Sequence, residues 1–454
     1  MFKNIPIWLA LFIFIIMFLL TILFGSLLVH YYEYGPRLPR IQKFLVNVAS
    51  IPINFENIIK YGSGLKPSEK KFEIQKDNNG NYIRFYIHNQ NPRDALLVLP
   101  EYDADKKRSV VKLVDLNNFE TIHQYDLDVE KIYNKLDITY WGQTSRDNNS
   151  NERFVFGHPA ILSDGSLIGK NVLHSPLFKI DLCGKEKWVN NKNNISYHHS
   201  IELDSEENIW VSGTLREENN LMNLLEIPRD NLGIINDALI KIDSKNGELI
   251  FKKSILELLM ENDLIYDSDI MSHRDIIHIN DVQPVEISNK YMEKGDLFIS
   301  IRTLSSIIQY RPKNNKIIRY IKGPFIKQHD VDILGNAEIA IFNNNETFRE
   351  KNNSEVVIYN LENKKFTRLN NDSFIKNDIY TKTEGLADFL PDGSYLVEET
   401  NKARLLFFDN EGNLEWIYLN IAKDGKNYPI TWSRLISNKN LIDAIKTAII
   451  SKKC

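Results

Sequence analysis

Four of the ten histidines in this 454-residue chain open the same local pattern. His158 begins HPAILSDGSLIG, His199 begins HSIELDSEENIWVSG and His329 begins HDVDILGNAEIAIFN. His278 leads a longer copy that runs through DLFISIR and ends at Arg302. A further copy, GLADFLPDGSYLVEE from Gly385, has lost its histidine. Imidazole donates or accepts hydrogen bonds, ligates divalent ions and attacks electrophiles when neutral. An arginine beside it supplies a planar fork for oxyanions. That mixture suits binding and transfer of a charged group whose transition state carries spread negative charge. A metal shell of three histidines is the alternative chemistry, although Arg302 would bring a second cation into the same space. Histidines at repeated positions also satisfy turn backbones, and for His158 that structural role is the plainer reading.

What must position these residues is a repeated sheet. A hairpin of apolar strand, polar turn and second strand occurs at Val110–Ile122, Leu177–Trp188, Leu239–Ile250, Ile307–Ile318, Val356–Phe366 and Leu405–Trp416. Alternation with Asp, Asn or Gly at the turn marks each as antiparallel. The histidine-led unit precedes most of these hairpins, so the two units together make four short strands. Six such sets predict an all-β, six-bladed β-propeller, a ring that protects its own sheet edges. In a propeller, equivalent positions of different blades converge on one axis. His158, His199, His278 and His329 are thereby brought together, with Arg302 after the His278 segment. Asn280, two residues beyond His278, is expected on the same strand face. His198 is expected to point away from His199. Glu384 and Arg404 of the sixth repeat are expected near the same channel, or equally as solvated charges. Helices are predicted at Ser254–Glu261 and over Leu441–Ile450.

Ahead of the repeats, Ile5 to Val29 contains no charged residue. At 1.5 Å per residue that run spans a hydrocarbon core of roughly 30 Å. Tyr31, Tyr32 and Tyr34 follow as interface aromatics. A cleaved signal peptide has a shorter apolar region and a small-residue cleavage site, which Leu27, Leu28 and His30 do not provide. The expected organisation is a membrane anchor over 1–30, a membrane-proximal segment over 31–90, the propeller over 91–430 and a C-terminal tail over 431–454. RFYIH at Arg84–His88 reads as an early strand.

Composition excludes several classes. The net charge is -4, with 56 basic and 60 acidic side chains. They are dispersed, so no nucleic-acid partner is expected. Two cysteines, Cys183 and Cys454, exclude a disulfide framework and a thiolate zinc cluster. No nucleophile elbow and no paired-carboxylate pattern appears.

Four short motifs, in order along the repeats, resemble the bacterial arylsulfotransferase family of aryl-sulfate transferases that work without an activated nucleotide donor. IIHIND at Ile276–Asp281 is similar to its His-x-Asn stretch, and FISIRTLSSI at Phe298–Ile307 to its Ser-Arg-His strand. In the latter, Ile301 and Thr303 replace the flanking residues. YHHS at Tyr197–Ser200 matches its paired histidines, and Lys327–Asn344 matches the segment bearing its nucleophilic histidine. The resemblance covers roughly residues 90–430. It implies a six-bladed periplasmic propeller that needs no cofactor and moves a sulfuryl group from an aryl sulfate to a phenolic acceptor. His329 would carry the group, with His278 and Arg302 neutralising sulfate oxygens. His199 would complete the shell and protonate the leaving phenolate, with His198 as the lesser choice for both. Asn280 would orient. The implied setting is an inner membrane with the propeller facing the periplasm. The chain departs from the family in lacking an evident structural disulfide and room for an N-terminal β domain. The competing readings are a non-catalytic, membrane-tethered propeller that binds a ligand or protein, and a metal-dependent hydrolase or lyase.

Overall fold

The computed structural model describes residues 7–34 and 65–452, apart from 66, 69, 71, 90, 135, 137–149, 174, 191–194, 216–234, 266–274, 336 and 347–352. The stretch expected to lie next to the membrane falls largely outside these residues. The first described element is a 28-residue helix, Ile7–Tyr34, whose described side chains from Leu11 to Leu23 are mostly exposed and apolar. Side chains in its last turns are not among the described ones. Among the described residues, no helix is long and apolar enough to cross a membrane.

Six sheets follow, each antiparallel and each at least four strands wide. From the axis outward, blade two is Ala160–Ile161, Leu167–Gly169, Leu177–Ile180 and Glu186–Asn190. Blades three to six repeat the plan, with innermost strands Ile195–Leu203, Ile279–Pro284, Val331–Ile333 and Leu386–Phe389. Every hairpin expected from the repeats is present as the outer pair of a blade, starting with Arg108–Asp115 against Glu120–Asp126.

The ring closes with strands from both ends of the repeat region. Arg434–Ile436, which the sequence placed in a tail, pairs with Leu96–Asp103 and is the innermost strand of blade one. Phe85–Ile87 adds a fifth, outer strand to blade six by pairing with Tyr418 to Trp416. The C-terminal helix Lys439–Ser451 then lies on the rim, with Asn438 capping its first turn. Ile442 and Ile445 are buried in the cluster that holds Leu96, Val111 and Leu113, and Lys446 pairs with Asp115 at 2.7 Å. The other expected helix forms at Ile255–Met260, capped by Ser254. Cys183 is disulfide-bonded, and the chain's other cysteine is Cys454.

An innermost strand has no ladder partner on its axial side, so its amides need other acceptors. Side chains from the preceding blade supply them. Val282 N donates to Ser200 Oγ, Val331 N to Asp281 Oδ2 and Ala387 N to Asp330 Oδ2, at 3.1–3.2 Å. Leu435 N donates to Asp388 Oδ2 at 2.5 Å, and Ile201 N approaches His158 Nδ1 at 3.4 Å. These latches fix neighbouring blades in register around the axis, and with them the side chains at the blade heads.

Candidate active site

Each blade contributes one non-glycine residue in the left-handed region, within its innermost strand for His199 and ahead of it in the other blades. They are Trp432, His158, His199, His278, Lys327 and Glu384, with φ between 46° and 58°. That backbone costs an L-residue about 1–2 kcal/mol, and its recurrence at one mouth marks a place where side chains are turned toward the axis against local preference. A second ring lies one residue past the second strand of a blade, at the same end. It holds Lys170 after Leu167–Gly169, Arg302 after Leu297–Ile301, Asn344 after Glu338–Asn343 and Thr400 after Tyr395–Glu399.

The expected histidines converge. His199 lies with its ring 4.8 Å from His278 and 6.4 Å from His329. Trp432 stands 6.0 Å from His199, 6.3 Å from His329 and 5.3 Å from His158. Glu398 fixes it by accepting the Trp432 and Ser433 amides on its two oxygens. This indole is the aromatic wall that the sequence did not identify, because it lies in the stretch read as tail.

His329 is 2% exposed. Its Nδ1 is 2.7 Å from Asn344 Oδ1, while the Asn344 amide nitrogen donates to the carbonyls of Thr381 and Glu384. Those two acceptors fix the amide, so Nδ1 carries the hydrogen and Nε2 the lone pair. Nε2 accepts the Glu384 amide at 2.9 Å. Burial, and then the charge of Arg302, holds His329 down at about 3 despite its bond to Asn344, so it is neutral at any working pH. His278 Nδ1 meets Asp275 Oδ2 at 2.5 Å. Asp275 stands one residue ahead of the motif that drew attention to His278, and its i,i+3 spacing was the available signal.

Arg302 hydrogen-bonds the His278 carbonyl through its own amide. Its guanidinium pairs with Glu346 at 3.2 Å, and Lys327 reaches the same carboxylate at 3.1 Å. Lys170 is a site residue the sequence reading missed, although it occupies the register of Arg302. It is 0% exposed, and its Nζ donates to Asn171 O at 3.4 Å. A Cβ on Gly157 would lie 3.1 Å from that nitrogen, which places the amine against the backbone just before His158. Burial lowers it to about 7, with Glu384 opposing the shift. Glu384 is itself pushed up to about 7, by burial and then by Glu398.

Three expectations are corrected. His198 and His199 do not diverge: the left-handed backbone of His199 brings the rings to 4.9 Å with their Nδ1 atoms 2.7 Å apart. Asn280 does not share a regular strand face with His278, because the ladder slips between Ile279 and Asp281. Its amide instead donates to the Gln328 carbonyl, next to His329 on the following blade, and its Oδ1 is buried without a partner. Arg404 is bound by Glu399 and the Asn377 carbonyl, outside the histidine cluster.

Below the cluster the axis holds a polar cavity of about 170 Å³, lined by His158, Glu202, Asp330, Asp332, Asp388 and Arg434 among others. Arg434 binds Glu202, His158 Nε2 and the Ile201 carbonyl. Burial pushes Glu202 up to about 8, and burial with mutual repulsion raises Asp330 and Asp332 well above the usual carboxylate range. Among the described residues, no three His, Cys, Asp or Glu side chains are arranged to hold a metal ion. A larger cavity, about 730 Å³, lies elsewhere, lined by Ile287, Met292, Ile333, Leu334 and Phe389 near the other ends of the innermost strands.

Fold and site together define a six-bladed propeller with histidines and paired cations gathered at one mouth of its axis. A family model described as arylsulfotransferase (ASST) matches residues 158–420, and the chain belongs to that family. No curated protein matches the sequence. Among solved structures, the chain is similar to a protein of unknown function from Bacteroides caccae. The identity there is 12% and the TM-score 0.47, over 76% of this chain and 99% of that one. It is also similar to TolB from Acinetobacter baumannii, at 10% identity and a TM-score of 0.43, over 76% and 67% of the two chains. Likenesses that remote bear on neither substrate nor mechanism.

Proposed function

We propose that the protein transfers a sulfuryl group from an aryl sulfate to a phenolic acceptor, with His329 as the transient carrier. The observation that carries this reading is the convergence of His199, His278 and His329 beside Trp432, with Arg302 bonded to the His278 backbone. The uncharged Nε2 of His329 attacks sulfur and the S–O bond to the aryl group breaks, so the phenolate leaves with the electron pair. Attack requires Nε2 to give up the Glu384 amide, which is then placed to donate to a sulfuryl oxygen instead. Nδ1–H stays on Asn344 and holds the ring. Arg302 and His278 meet the remaining oxygens with charge and hydrogen bonds, a form of stabilisation that is strongest in a desolvated site. Lys170 adds a further cation when protonated. His199 is pushed well below its ordinary value by burial and by its histidine neighbours, so it holds no spare proton for the leaving group at neutral pH. The acceptor phenol then attacks sulfur, the S–N bond breaks, and Nε2 regains its lone pair.

The helix Ile7–Tyr34 is proposed as the anchor in an inner membrane, with the propeller on the periplasmic side. The uncharged run from Ile5 to Val29 in the sequence supports it. The disulfide at Cys183 supports an oxidising compartment.

The test is to incubate the full chain with 4-nitrophenyl sulfate, with and without phenol and a chelator. Phenol-dependent nitrophenol release that survives chelation is expected. Release that needs added metal, or that ignores the phenol, would overturn the reading.

A related prediction concerns Glu346, which occupies Arg302 and Lys327 in the absence of substrate. Glu346→Gln leaves both cations for the donor anion. Its KM for the aryl sulfate is expected to fall several-fold, about 1 kcal/mol on the binding scale, with kcat changed less. A raised KM would mean that Glu346 aims Arg302 rather than competing for it.

A further inference from the structure

Behind His199 runs a buried chain of hydrogen bonds that the sulfuryl-transfer reading does not by itself require. Asp237 Oδ2 accepts the Ile279 amide at 3.0 Å, which fixes that oxygen as an acceptor. Asp237 Oδ1 accepts the Thr214 hydroxyl at 2.9 Å and meets His198 Nε2 at 3.2 Å. On the other side of the His198 ring, Nδ1 lies 2.7 Å from His199 Nδ1. Ser212 Oγ is 3.3 Å from the same His198 nitrogen, but its hydrogen goes to the His198 carbonyl at 2.7 Å. Asp237 and His198 are almost completely buried, whereas His199 is part-exposed toward the axis.

The hydrogens along this chain are not independent. A carboxylate can only accept, so His198 donates to it from Nε2. A His198 that carries a single hydrogen accepts at Nδ1, and the hydrogen in the 2.7 Å contact then belongs to His199 Nδ1. His199 Nε2 is then left with a lone pair, on a ring centred 4.8 Å from that of His278 and 6.4 Å from that of His329. We infer that Asp237 and His198 are positioning residues that fix this tautomer, making His199 Nε2 the base that removes the proton from the acceptor phenol. This rests on the sulfuryl-transfer reading above and assigns the proton of its second half. As the acceptor oxygen bonds to sulfur, its O–H proton passes to His199 Nε2 and the S–N bond to His329 breaks. The resulting imidazolium is stabilised through His198 by the Asp237 carboxylate, then loses its proton to solvent. The donor half needs no such base, because its leaving group departs as the phenolate. His198, expected from the sequence to touch substrate, acts here from behind His199.

Asp237→Asn gives a sharp test. The Ile279 amide forces the new side chain to keep oxygen at the Oδ2 position, so its NH2 faces His198 Nε2. His198 must then accept there and donate from Nδ1, and His199 is driven to carry its hydrogen on Nε2. The base becomes a donor, with little change in shape. Nitrogen NMR of the full chain labelled in histidine reads the tautomer directly. Wild type is expected to show His199 protonated on Nδ1 only, and Asp237→Asn the reverse. In rapid-mixing kinetics, the first burst of nitrophenol from 4-nitrophenyl sulfate is expected to stay within about three-fold of wild type. The phenol-dependent step is expected to fall by on the order of 10²–10⁴, the scale of tautomer errors at comparable carboxylate–histidine pairs. A wild-type His199 protonated on Nε2, or a variant in which both halves slow equally or neither slows, would overturn the relay. If Asp237→Asn does not fold, the wild-type tautomer alone still decides the matter. Absence of any burst in wild type would instead remove the sulfuryl-transfer reading and leave the tautomer measurement standing on its own.

Discussion

His329→Asn is expected to abolish nitrophenol turnover, with a loss on the order of 10³-fold or more and no burst in a single-turnover experiment. Three features set that magnitude. The ring is neutral because burial and Arg302 hold it at about 3, so its nucleophilicity is not lost to protonation. Asn344 accepts the Nδ1 hydrogen, which leaves Nε2 as the nucleophilic atom. Asparagine at 329 can imitate the donor at Nδ1 but offers no ring nitrogen with a lone pair at Nε2. Fold and melting temperature are expected to change little, because the bond to Asn344 can be remade. Asn344→Ala should cost much less than His329→Asn, since it frees the tautomer without removing the nucleophile. A burst of wild-type size in His329→Asn would assign the carrier role to another residue of the cluster.

The second large effect is on stability. Arg434 is the cation bonded within the axial cavity, holding Glu202 on both oxygens together with His158 and the Ile201 carbonyl. Replacing it with methionine keeps much of the volume and leaves buried carboxylates unpaired, a change that costs about 3–5 kcal/mol in comparable sites. The cost should depend on pH with a definite sign. Glu202, Asp281 and Asp388 have folded values raised above the ordinary carboxylate range. The folded protein therefore binds more protons than the unfolded chain between about pH 4 and pH 8. Their contribution is fully present at the acid end of that window and is lost as pH rises through it. Arg434→Met should steepen the loss, so its melting temperature falls furthest at pH 8 and approaches wild type near pH 5. A pH-independent difference would show that Arg434 acts by packing alone.

Much of this arrangement was legible along the chain. Hairpin alternation and turn chemistry are local, so all six outer pairs and both flanking helices could be read from short windows. The repeat then aligned His199, His278 and His329 without any contact being visible. Lys170 and Asn344 were equally within reach, since they stand in the register of Arg302, but a lone lysine or asparagine after a strand looks like surface until burial is known. Asp275 was missed by one residue. Trp432 was missed for a topological reason, because nothing local tells a tail from the strand that closes a ring.

The amino-acid sequence by itself determined a six-bladed propeller, its family and the convergence of three histidines and an arginine. Strand period, turn residues and repeat spacing are properties of neighbours in the chain, and they survive without coordinates. Only the tertiary structure decided the charge states and the direction of each hydrogen bond. Burial makes His329 and His199 neutral, Glu346 already occupies Arg302, and the Asp237–His198 pair lies behind His199 rather than beside the substrate. Those outcomes depend on desolvation and on which donor faces which acceptor across blades. Such distances are set when the ring closes, by strands more than three hundred residues apart in the chain.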